Sequence, residues 1–212
     1  MENCPLCFLT LPLQITLHLL IFQGYEDYCR HKSDRQINHS KVEVLREGKF
    51  VTLQSEEIKV GDIVQVRKNE QFPCDLVLLS SSNPNGKCFV MTANLDGETN
   101  LKPLFASKET KECQTPELLA NLHAQVECQN PNTDLLSFKG RIKRKSIQNQ
   151  MIGSLGLENI AMRGTQLQNT EFVMGVAVYT GSDTKMSMNS KLGANKFSTV
   201  EKSMNKVQGY SQ

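Results

Sequence analysis

The 212 residues carry 24 Lys+Arg against 22 Asp+Glu, a formal net charge of +2, with 39% hydrophobic, 22% charged and 6% aromatic residues and no Trp. So small a charge excludes a protein built mainly to coat nucleic acid, whose affinity comes largely from basic excess, and so few aromatics exclude a stacking platform for single strands. The hydrophobic share is that of a globular chain able to bury a core, and seven scattered cysteines fit reduced thiols rather than a disulfide scaffold.

The long apolar run is residues 8–22, FLTLPLQITLHLLIF. It is shorter than the roughly 20 residues that cross a bilayer, and Pro12, Gln14 and His18 weaken it. A signal peptide is disfavoured by Glu2 before the run and Gly24-Tyr25-Glu26-Asp27-Tyr28 after it. A buried helix of a soluble domain is a second reading. An incomplete transmembrane helix is favoured, because Arg30, His31, Lys32 and Arg35 follow, a cluster that marks the cytoplasmic side. Residues after about 24 are then expected in the cytosol.

From residue 41 the chain reads as short strands. Residues 41–45 (KVEVL) and 49–53 (KFVTL) alternate in polarity around Arg46-Glu47-Gly48, a hairpin pattern. Strands are further predicted at 63–66, 75–80 and 88–92, the last two parted by the turn formers 82–86. Thr115-Pro116-Glu117 opens a short helix, with a cap, proline at the first position and an acid in the first turn. Strands follow at 136–142 and 172–179, and residues 197–207 carry a helical apolar stripe. The fold class is mainly β with peripheral helices, β-sandwich-like or jelly-roll-like; patterning does not separate these from a barrel.

Candidate chemistry is sparse. Cys4-Pro5-Leu6-Cys7 is a lone CxxC with no second pair at zinc-binding spacing, so no metal site is read from it. The basic run 139–145 (KGRIKRK) reads first as a solvated strand end and next as a membrane-surface contact. No phosphate-binding glycine loop occurs in the sequence. The sharpest feature is Asn94-Leu95-Asp96-Gly97-Glu98-Thr99-Asn100. Asp-Gly makes a tight turn, the bare Gly97 allows close approach of another surface, and Glu98 projects beside the donor Thr99 as a candidate general base. Alone, the heptapeptide equally suits an ordinary exposed turn.

Asp96-Gly97-Glu98-Thr99 after an apolar strand resembles the loop of the actuator domain of P-type ATPases. The surroundings resemble the type IV branch, the phospholipid flippases. The matches include Gly24 to Tyr28 with Arg30-His31-Lys32 and Asp34, Val60-Gly61-Asp62-Ile63-Val64, and Phe72-Pro73-Cys74-Asp75-Leu76. Leu95 to Lys102 (LDGETNLK) follows the family nearly letter for letter. Arg163-Gly164, Gln168-Asn169-Thr170, Tyr179-Thr180-Gly181, Thr184-Lys185 and Val200-Glu201-Lys202 complete the ordered series.

The resemblance implies a distorted jelly-roll actuator domain over 41–195. It makes 1–23 a truncated transmembrane helix, 24–40 a juxtamembrane linker, and 196–212 an amphipathic helix toward the next membrane helix. It implies that Glu98 activates the water that hydrolyses an aspartyl phosphate, with Gly97 permitting close approach and Asp96 and Thr99 holding the loop. The expected partners are the phosphorylation domain of the same pump, a phospholipid of the aminophospholipid kind moved to the cytosolic leaflet, and an accessory membrane subunit. ATP and Mg2+ are implied for the complete pump, with no cofactor on this chain. The location implied is the plasma membrane or an endomembrane. The seven aspartates (27, 34, 62, 75, 96, 134, 183) all lie outside an Asp-Lys-Thr-Gly-Thr context, and both ends read as truncated, so the chain alone is expected to be inactive. The competing reading is a non-catalytic, membrane-tethered binding or regulatory module.

Overall fold

The computed structural model describes residues 5–46, 48–145 and 150–192. They form two compact units: an N-terminal helix with residues 54–57, and a β-rich body. The amphipathic segment expected at 196–212 lies outside the described residues.

The first unit is α1, Pro5–Asn38. It continues unbroken to Asn38, through most of the 24–40 stretch that the family resemblance makes a juxtamembrane linker. Gly24 is the lone glycine of that stretch and no proline occurs in it, so one residue costing about 1 kcal/mol is carried by its neighbours. Arg35 stands in the last turn, where a cation complements the helix dipole. Apolar character stops at Phe22 while the helix runs on through charged residues. Among the described residues no helix is long and apolar enough to cross a membrane.

The body centres on a six-stranded antiparallel sheet. Its strands are β1 (Lys41–Arg46), β2 (Lys49–Gln54), β3 (Ile63–Arg67), β4 (Asp75–Ser81), β10 (Ile160–Ala161) and β12 (Phe172–Tyr179), ordered β10-β4-β12-β3-β1-β2. A second sheet, ordered β11-β5-β6, joins β5 (Lys87–Met91), β6 (Leu101–Phe105) and β11 (Gln166–Gln168). A third, ordered β7-β8-β9, joins β7 (Ala124–Cys128), β8 (Gly140–Lys145) and β9 (Gln150–Leu155).

Strand alternation explains how the sheets stack, because successive side chains leave opposite faces. On β4, Leu76 and Leu78 enter one core with Val64, Val66, Cys88, Val90 and Leu167, which glues the second sheet to the first. Val77 and Leu79 enter a second core with Leu119, Ile142, Leu155 and Met174, which glues on the third. β4 is therefore buried along its whole length, and each such Val or Leu adds about 1.5–3 kcal/mol of burial. Gly175 in β12 is required by packing: a Cβ there would stand 2.9 Å from Val77 O.

The helix at residue 116 forms as predicted. α3 spans Pro116–Ala120, with Thr115 Oγ1 accepting from Leu118 N. The strand predicted at 136–142 does not form before Gly140. Asp134 Oδ1 accepts from Leu136 N at 2.9 Å, an Asx turn that bends the chain and leaves Leu136 85% exposed.

Candidate functional site

The Asp96–Thr99 segment lies in the connection between β5 and β6, which pair from Lys87↔Phe105 to Met91↔Leu101. It is not a bare two-residue turn. Thr92 leads into α2 (Ala93–Asp96), a single turn closed by Asp96 N donating to Thr92 O at 3.1 Å and Gly97 N donating to Ala93 O at 3.0 Å. Gly97 ends it in the left-handed region, φ 74°, where a side chain is strained. A Cβ on Gly97 would meet nothing within 4 Å. Conformation, rather than packing within this chain, calls for glycine there.

Asp96 organises the loop. Its carboxylate accepts from Thr92 Oγ1 at 3.0 Å, from Glu98 N at 2.9 Å and from Lys102 Nζ at 2.5 Å. The Lys102 ammonium, and then the Glu98 N–H, hold its carboxyl well below the usual range, at about 2. Lys102 also reaches Glu98 Oε2 at 3.1 Å, and the two carboxylates push its own pKa up, Asp96 more than Glu98. The Glu98 side chain is 57% exposed. The loop thus holds one carboxylate by several donors and offers the second to solvent on an exposed ion pair, the weaker kind of tether. Asn94 Nδ2 donates to Gly164 O at 3.0 Å and braces α2 from outside.

Of the residues singled out from sequence, Asp96, Gly97 and Glu98 come together as one structured loop. Thr99 is exposed and takes no part in its side-chain hydrogen bonds. The residues that do the holding, Thr92, Lys102 and Asn94, had no role assigned from sequence. The Thr92–Asp96 spacing of four, one helical turn, was the available signal.

Two other candidate groups, the core thiols and the basic run, are shut away or occupied. Burial pushes the Cys74 and Cys88 thiols up to about 12, which removes the thiolate needed for nucleophilic work. In the basic run, Arg141 and Lys143 both pair with Glu127, and Arg144 Nη1 donates to Glu109 O at 2.8 Å. The run is not a strand end: it forms β8, the middle strand of its sheet, with Ile142 buried and these three cations paired. Among the described residues no group of three or more His, Cys, Asp or Glu could hold a metal ion.

The P-type ATPase actuator domain family is matched over residues 36–192. Phospholipid-transporting ATPase IH of Homo sapiens is 47% identical over 186 residues, 87% of this chain and 16% of that protein. Phospholipid-transporting ATPase 11C of Mus musculus is 48% identical with the same coverage. The chain therefore spans only 16% of the length of these relatives. The crystal structure of a zinc-transporting PIB-type ATPase in its E2.Pi state overlaps 74% of this chain and 17% of its own, at 12% identity and a TM-score of 0.44.

Proposed function

Because this chain belongs to the P-type ATPase family, of which it carries the actuator domain, we propose that it serves a phospholipid-transporting pump and that Glu98 is the base that hydrolyses the pump's aspartyl phosphate. The names and 47–48% identity of the relatives support the transport class. The observation that carries the role of Glu98 is the loop's asymmetry: Asp96 is bound by several donors, while Glu98 stands next to it, exposed and singly tethered. Such a loop can enter another domain's surface with its shape intact and its reactive carboxylate free to turn.

In this reading Glu98 accepts a proton from water. The water oxygen bonds to phosphorus in line with the aspartyl oxygen, the aspartyl O–P bond breaks, and phosphate leaves. The proton passes from Glu98 to solvent. The surface that receives the loop belongs to the phosphorylation domain of the same pump. Dephosphorylation drives an aminophospholipid toward the cytosolic leaflet, with an accessory membrane subunit as a further partner. The apolar part of α1, up to Phe22, lies at the membrane, and residues beyond about 24 face the cytosol, as the cations at 30, 32 and 35 favour.

ATP and Mg2+ belong to the complete pump. In this loop Asp96 and Glu98 share the Lys102 ammonium, which does not suit a divalent cation, and no step on this chain runs through metal or nucleotide.

The test is Glu98→Gln in a complete pump carrying this domain. Phosphoenzyme loaded with labelled ATP and chased with cold ATP should decay about 10²–10⁴-fold more slowly than wild type, roughly 3–5 kcal/mol of barrier. Equal decay rates would remove Glu98 from the chemistry.

A further inference from the structure

The Glu98 loop is tied to a distant part of the body by a continuous set of hydrogen bonds. Asn94 Nδ2 donates to Gly164 O at 3.0 Å. Gly164 sits in the left-handed region at φ +82° and is itself held, its N–H donating to Phe72 O at 2.9 Å. The preceding residue, Arg163, donates its backbone N–H to Asp75 Oδ1 at 2.8 Å. Asp75 is wholly buried, and its other oxygen accepts from Lys185 N at 2.8 Å, the first residue of α4 (Lys185–Leu192). The Arg163 guanidinium adds a second link to the same place, with Nη1 donating to Gly181 O at 3.3 Å and Ser187 Oγ at 3.4 Å.

We infer that Asn94 and Arg163 are positioning residues for Glu98, coupling the start of α4 to the catalytic loop through the Arg163–Gly164 turn. The inference rests on Glu98 being the base. Its physical content is that the links are short and that the carboxyl at their centre, Asp75, is buried and takes an N–H on each oxygen. A displacement of α4 must therefore break a costly hydrogen bond or be passed to Gly164 and from there to Asn94. The hydrogen bond of the Asn94 side chain goes to Gly164 O rather than to Asp96 or Glu98, so it acts on the reaction through the aim of α2. Misplacement of about 1 Å at a reacting group costs as much as 10²-fold in rate.

Two measurements test this, on the full chain in detergent and on a complete pump. Amide exchange is followed at Gly97 and Glu98, whose N–H groups bond to Ala93 O and Asp96 Oδ1. Asn94→Asp keeps the shape but removes the donor. It should speed exchange at those two amides about twofold to tenfold, the worth of one hydrogen bond, and leave β4 and β12 unchanged; Asn94→Gln, which can still donate, should restore slow exchange. Arg163→Gln should loosen the same amides, and the double variant Asn94→Asp/Arg163→Gln should add little to either single change.

Unchanged loop exchange in Asn94→Asp, a Gln variant that behaves like Asp, or fully additive single changes would each overturn the coupling. In the pump, Asn94→Asp should slow phosphoenzyme decay about tenfold or more; faster exchange with unaltered decay would overturn the positioning role. Wild-type decay in Glu98→Gln would instead defeat the assignment of the base, and the exchange measurements would still decide the tie.

Discussion

Two carboxylates two residues apart, Asp96 and Glu98, look alike in sequence and differ in the fold. Asp96 takes donors from Thr92, Lys102 and the Glu98 backbone and becomes a structural anion. Glu98 keeps an exposed ion pair. The difference has a testable pH sign. A carboxyl whose folded pKa lies below its unfolded value gives the loop a contribution present above the unfolded pKa and lost as pH falls through the folded one. For Asp96 that window runs from the ordinary 3.8 down to about 2. Its carboxyl carbon, followed by NMR, should titrate near the lower value, and the Glu98 amide signal should move with it. A midpoint at the ordinary aspartate value would mean that the Lys102 and Thr92 bonds do not form in solution. Gly97 was legible as a turn residue from sequence, but the one-turn helix that puts it at a left-handed C-cap was not. Four residues leave no periodicity to read.

Among the elements, α4 and the loop before β8 show how one buried side chain replaces a predicted strand. Lys185 is fully buried, and its ammonium donates to Asn132 Oδ1 at 2.6 Å, Asp134 O at 2.6 Å and Ser137 O at 2.9 Å. Burial lowers its pKa, with Asp75 opposing. The carbonyl of Ser137, which would enter a ladder if the strand began at 136, serves this ammonium instead, beside that of Asp134. Lys185→Met should leave these acceptors unpaired and cost about 1–3 kcal/mol in denaturant unfolding. Leu136→Ser, at a side chain in open solvent, should stay within about 0.5 kcal/mol. Reversed magnitudes would show that Leu136 is covered and that Lys185 does not hold the loop. β4 and β12 were legible because an unbroken apolar run of strand length suits a strand covered on both faces. Residues 136–142 misled because an apolar residue beside a turn former reads the same whether it enters a sheet or caps a loop.

For the molecule as a whole, the prediction is catalytic silence in isolation. The 212 residues hold no phosphate-binding glycine loop and no aspartate followed by Lys-Thr-Gly-Thr, so the purified chain should not turn over ATP. Hydrolysis that tracks the folded protein through purification would contradict this. Sequence by itself determined the β-rich class, the β4 and β12 strands, the capped α3 helix and the heptapeptide that carries Glu98, because each is written in residues adjacent along the chain. It also determined the family, because many short matches in fixed order rarely coincide by accident. Only the tertiary structure decided that the central sheet is covered by a sheet on each face, and that Thr92 and Lys102 hold Asp96 while Asn94 braces the loop. Only it decided that Asp75 and Lys185 are buried together. These depend on partners as far apart as Asn94 and Gly164 or Asp75 and Lys185, and a hydrogen bond between such residues leaves no local pattern: its donor and acceptor meet only after the strands between them have paired and packed.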